Sequence, residues 1–126
     1  MTVLRQPSTM GDVLKYEVNP NFTRESVTLL AGTTYTVGAV LGRITASGKY
    51  KLATSGGTDG AQTAAAMLLY PVDATGADAI GVVIMRGPAI VSKAALVFDT
   101  TVDDAAKTAT KHGQLAALGI IARNTA

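Results

Sequence analysis

The sequence contains no cysteine, no tryptophan and only one histidine. Without cysteine the chain has no disulfide, no thiolate nucleophile and no thiolate metal ligand. Any catalytic triad would need His112, which lies between Lys111 and Gly113 as a surface histidine would, and no serine lies in a Gly-x-Ser-x-Gly motif. The turn from Asp73 to Asp78 offers too few oxygen ligands for calcium. We therefore expect no catalytic residues, no metal and no cofactor.

Strong charge of either sign is also missing. Eleven basic and nine acidic residues are scattered along the chain and give a net charge of +2. The four tyrosines lie far apart, so no basic surface interleaved with aromatic residues is predicted. We expect no nucleic-acid partner.

Long hydrophobic runs are absent as well. The longest, residues 79–85, is too short to span a bilayer, and the first seven residues lack the apolar stretch of a secretory signal. We expect no membrane partner and synthesis in a cytoplasm.

Hydrophobic residues make up 48% of the 126 residues, but aromatic residues only 5%, and 13 residues are glycine. A chain of this length fits one domain, whose core must consist mainly of Ala, Val, Leu and Ile. Because few large side chains are available for burial, oligomerisation would add stability.

Residues 1–24 contain Pro7 and Pro20 and show no sustained helical or strand period. We interpret them as an extended N-terminal arm that precedes a single domain, residues 25–126. The arm has too few apolar residues to form its own core and too many for a solvated tail. It therefore needs a partner surface, or, as the alternative, it wraps its own domain.

The domain begins with short β-type segments at residues 25–30, 35–37, 39–46 and 49–54, with Ser47-Gly48 placed as in a tight hairpin. A polar, glycine-rich loop follows at residues 55–60. Residues 64–72 favour a buried strand, although their propensity also allows a helix. Residues 79–86 have the strongest strand pattern, with Ile80, Val82 and Ile84 on one face. Residues 89–98 fit a strand followed by a short helical turn, and their type stays open.

Residues 102–118 are predicted to form a helix, with Thr100 or Thr101 as its N-cap and Gly119 as its stop. Gly113 lies inside it, so the alternatives are two short helical pieces or a helix that begins after Gly113. Residues 120–122 then form a last short strand. The predicted fold class is α+β: a small β-rich domain of short antiparallel strands and hairpins, with one or two C-terminal helices and the extended N-terminal arm.

Four groups of motifs follow one another over nearly the whole chain: Arg24-Glu25-Ser26-Val27-Thr28-Leu29; Gly38-Ala39-Val40-Leu41-Gly42-Arg43-Ile44-Thr45 through Gly48-Lys49-Tyr50; Thr58-Asp59-Gly60-Ala61-Gln62-Thr63-Ala64 leading to Leu68-Leu69 and Val72-Asp73-Ala74; and residues 115–123 around Leu118-Gly119-Ile120-Ile121. In this order the sequence resembles the lambda-type phage head decoration protein family.

The resemblance implies a non-enzymatic protein that assembles as a homotrimer on the outer surface of the virion, after synthesis in the host cytoplasm. The trimer would bind the major capsid protein at threefold positions of an expanded icosahedral capsid and stabilise the shell against genome pressure. The resemblance also implies that the arm becomes ordered on the capsid and adds a strand to a shell-protein sheet. The capsid-binding residues would be Thr2, Val3, Leu4, Arg5, Val13, Leu14, Tyr16 and Val18.

Two other readings of the sequence belong to different functional classes. In one, residues 38–54 form half of a small carrier-type β-barrel in which Lys49 carries a covalent cofactor. Such a lysine needs an exposed hairpin tip, whereas Tyr50 and Leu52 place Lys49 at an ordinary strand start. In the other, the chain is an enzyme that uses paired carboxylates, for which no residue pattern is visible.

Overall fold

The computed structural model of the chain describes residues 10–124. It contains three α-helices, ten strands and one 3₁₀ turn within that range. In chain order they are α1 (Met10–Val13), β1 (Leu14–Glu17), α2 (Pro20–Thr23), β2 (Arg24–Leu29), β3 (Thr33–Tyr35), β4 (Val40–Arg43), β5 (Tyr50–Leu52), β6 (Ala64–Leu68), β7 (Val72–Ala74), β8 (Ala79–Ile84), β9 (Ala89–Ser92), the 3₁₀ turn (Lys93–Ala95), α3 (Ala105–Ala116) and β10 (Ile120–Arg123).

Five strands close into a small barrel in the order β2-β5-β4-β6-β8. The pair β2 and β8 is the longest, antiparallel from Arg24 opposite Ile84 to Leu29 opposite Ala79. Side chains from all five barrel strands form one of two apolar clusters, which includes Leu29, Leu41, Tyr50, Leu68 and Val83. This cluster also contains Tyr35 and Ala74 from the two-stranded sheet β3-β7.

A three-stranded sheet, β1-β9-β10, lies beside the barrel. Strand β1 runs antiparallel to β9, and β10 runs parallel to it. The inward side chains of this sheet join the second apolar cluster, which contains Val91 and Ile120 together with Met67 and Ile84 of the barrel and Leu115 of α3. The second cluster therefore attaches the sheet and the helix to the barrel.

The predicted β-rich fold with a C-terminal helix is confirmed, including a strand at residues 64–68. Residues 89–98, whose type the sequence leaves open, contain β9 followed by the 3₁₀ turn. The helix starts later than the sequence indicated, because the N-cap is Asp104 and neither Thr100 nor Thr101. The Asp104 side chain accepts a hydrogen bond of 2.8 Å from the backbone N–H of Lys107. Gly113 does not divide the helix, and Gly119, at φ +84°, follows its end as the stop.

Two local predictions change in detail. The connection between β4 and β5 is not a two-residue hairpin, because Arg43 pairs with Tyr50 and six residues lie between them. On β8, Ile80 and Ile84 share a face but differ in burial. Ile84 is covered by the second apolar cluster, whereas Ile80 lies beyond it and is 66% exposed.

Candidate functional site

The structure describes four of the eight residues that the sequence assigned to partner binding, namely Val13, Leu14, Tyr16 and Val18. Thr2, Val3, Leu4 and Arg5 lie outside the described residues. The described part of the N-terminal segment is folded onto the domain through α1, β1 and α2. For residues 10–24, the structure thus follows the alternative in which the segment wraps its own domain.

Val13 and Leu14 face the interior. Val13 is fully buried in the second apolar cluster, where its Cγ2 lies 3.2 Å from the place that a Cβ on Gly38 would occupy. Leu14 is half-buried and packs against the same cluster. These two residues anchor the base of the segment to the domain.

Tyr16 and Val18 face outward and are 51% and 50% exposed. Tyr16 pairs with Ile90 of β9, and Ile90 pairs with Ile121 of β10, so the three side chains form one row across the sheet. Their sequence neighbours Ala89 and Ile120 are buried on the opposite side. We call the row formed by Tyr16, Ile90 and Ile121 the outer sheet face.

An ion pair holds the segment in place after β1. Arg24 donates to Glu17 at 2.5 Å, and the Thr23 hydroxyl donates to the same carboxylate at 2.6 Å. Burial raises the pKa of Glu17, but the hydrogen bonds from Arg24 and Thr23 more than offset it, so this pKa lies below its ordinary value. The carboxylate is therefore charged at neutral pH and links β1 to the start of β2.

A second, more exposed contact fixes the turn at α2. The Arg86 guanidinium lies 5.5 Å from the centre of the Phe22 ring and donates to the Phe22 carbonyl oxygen at 2.5 Å. It also forms an ion pair with Glu25 at 2.9 Å. Phe22 itself remains 55% exposed. The turn and the first residues of β2 are thus held against the end of β8.

The sequence did not indicate that Lys111 is buried. Its Nζ donates to the Gln62 carbonyl oxygen and, at 3.2 Å, to Gln114 Oε1, which also accepts from the Ala64 N–H at 2.8 Å. Burial lowers the pKa of Lys111. Its spacing of four from Leu115, on the inward face of α3, was the available signal. Lys111 therefore links α3 to the start of β6.

His112 is half-buried, where the sequence predicted a surface histidine. Its ring packs edge-on against Phe98 at 5.8 Å between centroids, and its Nε2 is buried without a hydrogen-bond partner. Burial lowers the pKa of His112, and the charge of Lys93 lowers it further. The neutral imidazole serves here as a packing group.

Two further lysines form ion pairs on the surface. Lys49, the candidate carrier lysine, lies just before β5, where its Nζ pairs with Asp78 at 2.5 Å. Lys51, beside an open cleft of about 300 Å³ next to β3, pairs with Asp59 at 2.7 Å. Within residues 10–124 no group of three histidine or acidic side chains could hold a metal ion, and no helix there is long and apolar enough to cross a membrane.

Comparison with protein-family models matches residues 3–120 of the chain to the model described as bacteriophage lambda head decoration protein D. The matched residues include the whole barrel, strands β1 and β9 of the three-stranded sheet, and the first residue of β10. A search of curated proteins finds no match to the chain.

Proposed function

Because the chain belongs to the bacteriophage lambda head decoration protein D family, we propose that it binds the expanded icosahedral shell as a homotrimer at threefold positions. There it stabilises the shell against the pressure of the packaged genome. Membership of the family makes the chain a structural protein of the phage head, located at the virion capsid. The observation that carries this proposal is the family match over residues 3–120.

Multivalency increases the affinity of the proposed trimer for the shell. Three arms and three domain rims engage together, so contacts that are weak alone multiply once one arm is held. The thin core and the many small side chains support assembly, because small residues let subunits approach closely. The scattered charge, with a net value of +2, keeps the free protein soluble without attracting it strongly to DNA.

In this proposal the arm binds the major capsid protein. In this proposal Thr2, Val3, Leu4 and Arg5 contact the shell, and the exposed side chains of Tyr16 and Val18 add further contact. Val13 and Leu14 assist by holding the base of the arm to the domain. An added strand fits this role, because backbone hydrogen bonds give affinity while alternate side chains give specificity.

Removing residues 1–9 tests the arm without opening the core. A chain that starts at Met10 keeps Val13 and β1, whereas a deletion through Asn19 would remove a fully buried residue and an edge strand. The shortened chain and the full chain are mixed with expanded shells, and bound protein is measured by co-sedimentation. We expect the same oligomeric mass by light scattering for both, that of a trimer, and strong binding only for the full chain.

Equal binding by the two chains would refute the role of the arm. A monomeric mass for the full chain would refute the homotrimer. Failure of the full chain to bind expanded shells at any concentration tested would refute the proposed function itself.

A further inference from the structure

The polar, glycine-rich loop at residues 55–60 ends in Asp59-Gly60, the single Asp-Gly sequence in the chain. An aspartate followed by glycine is especially prone to isomerisation, because glycine has no side chain that hinders attack by its own backbone nitrogen. In this reaction the Gly60 nitrogen attacks Cγ of the protonated Asp59 carboxyl group. The bond from Cγ to the hydroxyl breaks, and the hydroxyl leaves as water with the proton of the nitrogen. The product is a cyclic imide.

Water then opens the imide. When it adds to the backbone carbonyl carbon of Asp59, the bond from that carbon to the Gly60 nitrogen breaks, and the main chain runs through the side chain. The product is isoaspartate, which has the same mass as aspartate and lengthens the backbone by one methylene. Water is the only other reactant, and it has access because the Asp59 side chain is 40% exposed.

The packing of the loop requires glycine at position 60. Gly60 has a φ of +103°, and a Cβ there would overlap the Thr45 side chain and lie 2.7 Å from the Arg43 carbonyl oxygen. The Asp59 carbonyl oxygen accepts from the Thr45 N–H at 2.8 Å, and Ala61 is fully buried. The labile sequence therefore lies where an added methylene would disturb both the hydrogen bond and the buried residue.

Two contacts hold the Asp59 carboxylate. Lys51 Nζ lies 2.7 Å from Oδ2, and the Ala61 N–H donates to Oδ1 at 3.0 Å. The hydrogen bonds from Lys51 and from the Ala61 backbone lower the pKa of Asp59. Because a charged carboxylate has no hydroxyl to lose as water, these contacts disfavour the form of the side chain that reacts.

The attacking nitrogen is also held. The Gly60 N–H donates to Gln62 Oε1 at 2.8 Å. A nitrogen that lost its proton there would face the lone pairs of this oxygen, so the contact must open before the reaction. Gln62 is fixed in turn, because its carbonyl oxygen accepts from the buried Lys111. Both reacting groups are thus restrained in the folded chain.

We propose that Asp59-Gly60 is the site at which this chain is modified to isoaspartate, and that Lys51 and Gln62 slow the modification in the folded protein. This inference goes beyond the proposed function. Its test uses the free protein, so the outcome does not depend on whether the chain binds a shell.

The first experiment compares the folded full-length chain with the same chain unfolded in guanidinium chloride, both in neutral buffer at one temperature. Isoaspartate is quantified over time by enzymatic methylation and located by electron-transfer fragmentation in a mass spectrometer. We expect it at Asp59 in the unfolded chain and at least about tenfold more slowly in the folded chain, where local opening must come first. Equal rates, or accumulation at another aspartate, would overturn the proposal.

The second experiment removes each restraint in the folded chain. Lys51→Met removes the ion pair with Asp59, and Gln62→Met removes the acceptor of the Gly60 N–H. The matched control is Lys49→Met, because Lys49 forms a similar ion pair with Asp78, which is followed by alanine. Thermal unfolding checks that all three variants are folded.

We expect isoaspartate at Asp59 to form several-fold faster in Lys51→Met and in Gln62→Met than in the unaltered chain, and at an unchanged rate in Lys49→Met. Equal rates in Lys51→Met and Lys49→Met would overturn the role of the ion pair, and an unchanged rate in Gln62→Met would overturn that of the amide. If a variant does not fold, the comparison of the folded and unfolded unaltered chain still decides whether the fold protects this site.

Discussion

Gly42, on β4, lies so close to the backbone of Ala61 that no side chain fits at this position. A Cβ there would overlap the Ala61 carbonyl group and lie 2.7 Å from its Cα. Because backbone cannot move aside cheaply, we expect Gly42→Ala to lower the free energy of unfolding by about 1–3 kcal/mol.

Gly76→Ala is the matched control for Gly42→Ala. Gly76 has nothing within 4 Å of an added Cβ and does not have a positive φ. This control should change the free energy of unfolding by less than about 0.5 kcal/mol. Urea denaturation of the two variants measures the difference, and equal stability of the two would contradict the close approach of β4 to Ala61.

His112 makes stability depend on pH in the neutral range. Burial and the charge of Lys93 lower its pKa in the folded state, so the unfolded chain takes up the proton first as the pH falls. The free energy of unfolding should therefore decrease as the pH falls through the ordinary pKa of histidine, near 6.5. Urea denaturation at pH 7.5 and 5.5 measures this decrease.

The variant His112→Leu provides the control for this effect. It keeps an apolar contact to Phe98 and removes the only histidine of the chain. We expect its loss of stability between the two pH values to be smaller than that of the unaltered chain. An equal loss in both proteins would show that another group is responsible.

At the scale of elements, β1 is held at one edge of its sheet by β9 and by the Glu17–Arg24 pair. We expect Glu17→Gln to weaken this attachment, since the neutral amide loses the charge-assisted hydrogen bonds. Amide hydrogen exchange in β1 should become about tenfold faster, with little change in the barrel strands. Glu25→Gln, which alters the more exposed pair with Arg86, should leave exchange in β1 unchanged.

The Glu17–Arg24 pair also makes the stability of β1 depend on pH. The pKa of Glu17 is lowered in the folded state, so the stabilisation is complete above the ordinary value of 4.5. It is lost as the pH falls through the lower, folded-state pKa. The exchange rates of the unaltered chain and of Glu17→Gln should therefore converge in acid, and a constant difference would contradict the role of the carboxylate.

The elements that the sequence predicts well are those whose pattern is local. Alternation along residues 79–86 and the glycine stop after α3 mark β8 and the end of the helix directly. The three-stranded sheet was harder, because its strands come from three distant parts of the chain. Only the strand pairing shows that Tyr16, Ile90 and Ile121 share one face of the sheet. The sequence around each residue does not indicate it.

Residues 10–24 illustrate the same limit. Their prolines and short apolar groups give no period, so the sequence indicates a segment outside the domain. In the structure tertiary contacts supply the order, through the burial of Val13 and the pair of Glu17 with Arg24. Lys111 was missed for a similar reason, since only its partners Gln62 and Gln114 make its burial favourable.

For the whole molecule, the family could be named from the order of motifs between Arg24 and Arg123, and the match over residues 3–120 confirms it. The absence of catalytic motifs, metal ligands and a basic surface alone indicated no more than a binding domain. The structure adds that the N-terminal segment has residues of two kinds. Val13 is buried and holds the segment to the domain, whereas Tyr16 is exposed.

The stoichiometry of binding to expanded shells tests the central proposal most directly. A trimer at every threefold and quasi-threefold position places about one chain beside each shell subunit. Purified full-length protein is added in increasing amounts to expanded shells, and the bound chains per shell subunit are counted after sedimentation. We expect saturation at about one chain per subunit, and shells that withstand more heat after binding. Binding that never saturates, or no binding, would contradict the proposed function.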